Sequence, residues 1–79
     1  MRVRVKLFAN LHSPVVEAGP GVPFETELPE GVTLSGLADC LRLPAEQVRV
    51  VFVNGRARPM DWVLQPDDQV GVFPPIGGG

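Results

Sequence analysis

The chain has 79 residues, enough for one small domain with a thin core and too few for a deep catalytic cleft of its own. Hydrophobic residues make up 44% and charged residues 20%, ordinary values that argue against disorder throughout. The net charge of −2 gives no electrostatic basis for binding nucleic acid or anionic membranes. Cys40 is the single cysteine, which excludes an internal disulfide and a multi-cysteine metal site. The start Met1-Arg2-Val3-Arg4-Val5-Lys6 lacks the apolar core of a signal peptide, and no apolar run approaches a membrane span, so the expected location is cytoplasmic.

Arg2 to Phe8 alternates charged and apolar residues and predicts a half-buried strand. Its basic face, Arg2, Arg4 and Lys6, reads as a solvated sheet surface, with a docking stripe for an acidic partner as the alternative. Ala9 to Val22 has no period and carries Pro14, Gly19, Pro20 and Gly21, so an irregular loop is expected, with His12 on its surface. Phe24 to Leu28 alternates again and predicts a second strand, antiparallel to the first and closed by Pro29-Glu30-Gly31. Thr33 is placed to cap a helix whose apolar face is Leu34, Leu37, Ala38 and Leu41 and which Pro44 ends, with a further short turn starting at Pro44. Cys40 lies beside that face and reads as a core or core-edge residue rather than a nucleophile, since nothing nearby in sequence supplies a base.

Arg49 to Val53 is dense enough in β-branched and aromatic residues for a central strand, and Asn54-Gly55 predicts a tight hairpin turn into a short strand at Arg56-Ala57-Arg58. Pro59 to Leu64 reads as a connection, with Met60, Trp62 and Leu64 available to cover the end of the core. Gln65-Pro66-Asp67-Asp68 turns the chain into a last strand at Val70 to Phe73. Strands on either side of one helix argue for an α+β roll, a mixed sheet with the helix packed across one face.

The last stretch, Phe73-Pro74-Pro75-Ile76-Gly77-Gly78-Gly79, has a different logic. Two prolines bar ladder pairing and fix φ near the polyproline value, so the chain is expected to leave the domain extended. Six residues from Pro74 to Gly79 reach roughly 20 Å at full extension. Glycines without Cβ let a backbone enter a channel that any side chain would block. The expected organisation is a domain at 1–73 and a flexible tail at 74–79, shaped to deliver its own terminus into a partner's active site.

That tail resembles the Phe-Pro-Pro-Val-(Ala/Ser/Gly)-Gly-Gly ending of the MoaD/ThiS family, the ubiquitin-like sulfur carriers of molybdenum-cofactor and thiamine synthesis, with Ile76 in place of the commoner valine. Lys6-Leu7-Phe8-Ala9-Asn10-Leu11 is similar to the family's Leu-Phe-Ala-x-Leu, and Val53-Asn54-Gly55 to its Val-Asn-Gly hairpin. Asp67-Asp68-Gln69-Val70 resembles its Gly-Asp-x-Val, with Asp67 in place of glycine. The resemblance implies a β-grasp fold whose first and last strands run parallel side by side, placing the tail at the sheet's edge.

It also implies a non-enzymatic co-substrate that binds no cofactor or metal. An E1-like enzyme would adenylate Gly79 with ATP, and a donor such as a cysteine desulfurase or rhodanese-type protein would supply sulfur to leave a thiocarboxylate. Phe73, Pro74, Pro75, Ile76, Gly77 and Gly78 would line the partner's channel. The paired prolines and the Leu-Phe-Ala stretch favour the MoaD branch, whose partner is the large subunit of molybdopterin synthase. A ThiS-type thiazole carrier, a ubiquitin-like modifier joined to lysine through Gly79, and a plain β-grasp interaction domain stand as the alternatives.

Overall fold

The computed structural model describes residues 1–75. In chain order the elements are β1 (Arg2–Leu7), β2 (Phe24–Glu27), α1 (Leu34–Cys40), a 3₁₀ turn (Ala45–Gln47), β3 (Val50–Val53), β4 (Arg56–Arg58) and β5 (Gln69–Phe73). The strands form one sheet in the order β2-β1-β5-β3-β4. β1 and β5 are parallel, and the other neighbours are antiparallel. This is the mixed sheet with one helix across it that the element order predicts.

One expectation about the sheet needs correction. β5 is the central strand, between β1 and β3, so the chain leaves from the middle of the sheet rather than from its edge. The β3–β4 hairpin fills the far side and covers what would otherwise be an open edge. β3 is an interior strand as expected, paired with β5 on one side and β4 on the other. Its apolar run is continuous because Val51 and Val53 enter the core while Phe52 stands on the opposite face.

The core lies between the sheet and α1. Val3, Val5 and Leu7 from β1, Val51 and Val53 from β3, and Val70 and Val72 from β5 meet Leu34, Leu37 and Leu41, all buried. Burial of each such side chain contributes about 1.5–3 kcal/mol before conformational entropy is set against it. Thr33 caps α1 as the sequence predicts, its hydroxyl accepting from the Gly36 amide at 3.1 Å. The amides of Leu34 and Ser35 donate to the carbonyls of Trp62 and Met60 at 3.0 and 2.9 Å, so the 59–64 connection completes the cap.

The helix stops before Pro44. Arg42 takes a left-handed φ of 55°, its amide donates to Asp39 O, and the Leu43 amide donates to Ala38 O, which is the Schellman arrangement. The Ser13 hydroxyl donates to the Leu41 carbonyl at 2.6 Å, tying the first loop to the end of α1. Cys40 is exposed, against the expectation of a core or core-edge position, because Leu37 and Leu41 take the inward face at the last turn.

A polar junction sets where β5 begins. Asn54, at φ 52°, and Gly55, at φ 85°, form the left-handed pair that a two-residue hairpin requires. The Asn54 side-chain amide donates to Asp68 Oδ1 at 2.9 Å, and its Oδ1 accepts from the Gln69 amide at 2.9 Å. Asp68 Oδ2 accepts from the Gln65 amide at 2.8 Å, and the Asp68 carbonyl accepts from Arg4 at 2.9 Å. Asp68 therefore ties the β3–β4 turn to the approach to β5 through its buried carboxylate, and β1 to the same point through its main-chain carbonyl.

Candidate functional site

β5 alternates between two environments, as a strand must. Val70 and Val72 face the core, while Gly71 and Phe73 face away from α1. Parallel pairing of β1 with β5 sets Leu7 beside Val72, which brings the next residue, Phe8, against Phe73. Their rings stack at 4.3 Å between centroids with an interplanar angle of 0°. Antiparallel pairing sets Phe52 beside Gly71, and the Phe52 ring meets Phe73 edge-on at 5.5 Å and 74°. Such aromatic pairs contribute about 0.5–1.5 kcal/mol each beyond the area they bury.

These rings border a groove of about 340 Å³ on the open face of the sheet, flanked by Arg4 and Lys6. Arg4 reaches Glu25 at 3.5 Å, and Arg2 reaches Glu27 at 3.0 Å and Glu25 at 3.7 Å. Glu27, as hydrogen-bond and charge partner, raises the Arg2 guanidinium above its ordinary value, with Glu25 adding to the effect. The basic face of β1 is thus half neutralised by β2, and no acidic partner of Lys6 occurs among the described residues. The solvated reading holds for Arg2 and Arg4, which belong to an exposed ion-pair network, while Lys6 stands beside the aromatic groove.

The tail begins at the end of this strand. The Arg49 amide donates to the Phe73 carbonyl at 2.8 Å, and the Phe8 amide to the Val72 carbonyl at 3.1 Å. Pro74, one residue past the expected boundary, is still buried, and Pro75 is exposed. Of the site residues named from sequence, Phe73, Pro74 and Pro75 are thus placed at the end of the central strand. Ile76, Gly77, Gly78 and Gly79 lie outside the described residues.

Among the described residues no group of three His, Cys, Asp or Glu is arranged to hold a metal ion. His12 is exposed on the first loop, as expected, and Cys40 is exposed at the end of α1. No helix among them is long and apolar enough to cross a membrane. What the arrangement offers is a rigid root for a chain terminus beside an apolar face with a basic flank.

Sequence reasoning missed Phe52 and Gly71 as part of this face. Parity would have found them. Phe52 lies between Val51 and Val53, and Gly71 between Val70 and Val72, so both must point away from the side the valines bury.

Residues 5–79 match the ThiS family. Among solved structures, a Pyrococcus furiosus protein assigned as molybdopterin converting factor, subunit 1, is 33% identical, with 95% of this chain and 98% of that chain covered at a TM-score of 0.67. SAMP1 from Haloferax volcanii superposes over 100% of both chains at a TM-score of 0.70 and 22% identity. A structure of small archaeal modifier protein 1 from the same organism covers 95% of this chain and 98% of that chain at 0.69 and 21% identity. At those identities the two Haloferax structures speak for the fold alone, which is the ubiquitin-like β-grasp expected from the sequence. No curated protein matches. With its sheet order and a family match running from β1 through the final glycine, this chain belongs to the MoaD/ThiS family of small ubiquitin-like sulfur carriers.

Proposed function

We propose that this chain carries sulfur as a thiocarboxylate on Gly79 and delivers it to a pterin in the building of the molybdenum-cofactor dithiolene, acting as the small subunit of molybdopterin synthase. The observation that carries the reading is the seating of Phe73 and Pro74 at the end of the central strand, directly ahead of the exposed Pro75 and the Ile76-Gly77-Gly78-Gly79 stretch. The likeness at 33% identity to a protein assigned as molybdopterin converting factor, subunit 1, favours the MoaD branch over the ThiS branch.

An α-carboxylate titrates near about 3.5 and is an anion at neutral pH, a poor electrophile that needs activation. An E1-like enzyme supplies this by transferring AMP from ATP to the Gly79 carboxylate. The persulfide sulfur of a desulfurase or rhodanese-type donor then attacks the adenylated carbonyl and expels AMP. A second thiol cleaves the resulting acyl disulfide to leave the thiocarboxylate and a disulfide on the donor, and the synthase large subunit receives the charged tail. The protein itself binds no cofactor in this scheme and works in the cytoplasm. The open aromatic face is the surface on which these partners dock, since an apolar face beside the tail root allows binding energy to be gained while the terminus enters a channel.

Intact mass after incubation with an E1-like enzyme, ATP and a persulfide donor tests the reading. Replacement of one oxygen by sulfur at the terminus is expected. A covalent adduct to protein lysine instead marks a modifier, the role in the names of the Haloferax neighbours. Sulfur transfer by a chain lacking Gly77 to Gly79 overturns the proposal.

A further inference from the structure

The root of the tail is fixed by residues that carry no reacting group. The stacked Phe8 and Phe73 rings both lie over Gly71, where a Cβ would come within 3.1 Å of Phe8 Cε2 and 3.7 Å of Phe73 Cε1. The first distance is tight, so a side chain at position 71 requires the Phe8 ring to give by a few tenths of an ångström. Phe52 closes the cluster from the β3 side. Phe73 is therefore held by its ring, and also by its carbonyl, which accepts from the Arg49 amide at 2.8 Å. Pro74 is buried directly after it. A residue before proline is confined to extended conformations, and each proline fixes its own φ, so a direction set at Phe73 carries through Pro75.

We propose that Phe8, Phe52 and Gly71 are positioning residues that aim the tail. The bare Gly71 leaves room for the edges of both stacked rings, the stack orients Phe73, and the Pro74-Pro75 arm transmits that orientation to the activating enzyme. The inference rests on the reading of Gly79 as an activated carboxylate. Two polyproline residues span about 6 Å, so a tilt of about 10° at Phe73 moves the end of the arm by about 1 Å. Misplacement on that scale can slow a geometrically controlled reaction about a hundredfold.

The test is ATP–pyrophosphate exchange catalysed by the E1-like enzyme of the same organism, with the full chain as the varied substrate. In this step a terminal carboxylate oxygen bonds to the α-phosphorus of ATP, the α–β phosphoanhydride breaks and pyrophosphate leaves; labelled pyrophosphate reports the reverse. Phe8→Leu is expected to lower kcat about tenfold or more, over and above any rise in KM from the docking contact it also removes, because a lost orientation slows the bound step itself. In a Pro75→Gly background, where the arm is broken, Phe8→Leu should change kcat less than about twofold, because the two changes act through one path.

Gly71→Ala, which displaces the rings without removing either, should repeat both results and serves if Phe8→Leu does not fold. A rise in KM with unchanged kcat overturns the inference, since it marks the rings as contacts only. Equal kcat losses with and without Pro75→Gly overturn it as well. Exchange by the wild type with a flat response to both variants sinks this inference alone, whereas no exchange by the wild type removes the activated carboxylate and this inference together.

Discussion

The two faces of the sheet are built from the same strands and differ in what they are made of. Toward α1 the strands present valines and a leucine that interlock with Leu34, Leu37 and Leu41. Away from α1 they present Phe8, Phe52, Phe73 and a bare Gly71, flanked by Arg4 and Lys6. A chain of this length has material for one core, so one face stays uncovered. A face left uncovered solely for solubility would be polar. This one is aromatic at the end where the tail departs, which is the composition of a contact surface. Within single strands, residue by alternate residue, one face therefore builds the core and the other forms the contact surface we propose.

The sharpest way to break that division is from the core side. Leu37 is 2% exposed in the centre of the apolar face of α1. Leu37→Ala should cost about 2–5 kcal/mol, the range for a buried leucine whose cavity only partly collapses. In a domain this small that consumes much of the total stability. Denaturant titration measures it, and a loss below about 0.5 kcal/mol would mean the helix face does not form the core.

Much of this architecture is legible in the sequence because its signals are local. Thr33 before Leu34, Leu37, Ala38 and Leu41 announces a capped helix, Asn54-Gly55 a hairpin, and the alternation in Arg2 to Leu7 a half-buried strand. What stays hidden depends on contacts distant in sequence. Ser13 is 1% exposed in a stretch with no period, because its partner is the Leu41 carbonyl at the far end of α1. Leu11 is buried in the same loop for the same reason, since the loop folds back on the core. The helix stop at Arg42 carries no glycine to mark its left-handed turn, so Pro44 looked like the terminator. In the tail, the residue types are plain, but the seating of Phe73 on Phe8 depends on the parallel pairing of the first and last strands.

A smaller effect is expected at the junction between the two faces. Asn54→Gly keeps the left-handed backbone, which glycine tolerates, and removes only the side chain. The Asp68 carboxylate then loses one donor and the Gln69 amide its acceptor. Leaving such groups without partners costs about 1–3 kcal/mol. The signature is a lower denaturation midpoint at an unchanged slope, since the amount of surface exposed on unfolding is the same. No loss of stability would show that water replaces the side chain there and that the junction does not hold the start of β5.

The smallest effect on stability, and the one that tests the open face most directly, is expected for Lys6→Glu. Lys6 is exposed, flanks the aromatic groove and has no ion-pair partner among the described residues. Its replacement should leave stability within about 0.5 kcal/mol, since it disturbs neither packing nor a buried group. Binding should respond differently. If an acidic rim on the activating enzyme meets this flank, reversing the charge slows association and steepens the loss, and the difference from the wild type shrinks as salt rises and screening shortens the reach of the charge. Association rates measured by stopped flow at low and high salt decide it. Equal rates for the two proteins at low salt would confine recognition to the aromatic groove and leave the basic flank of β1 as a solvated edge.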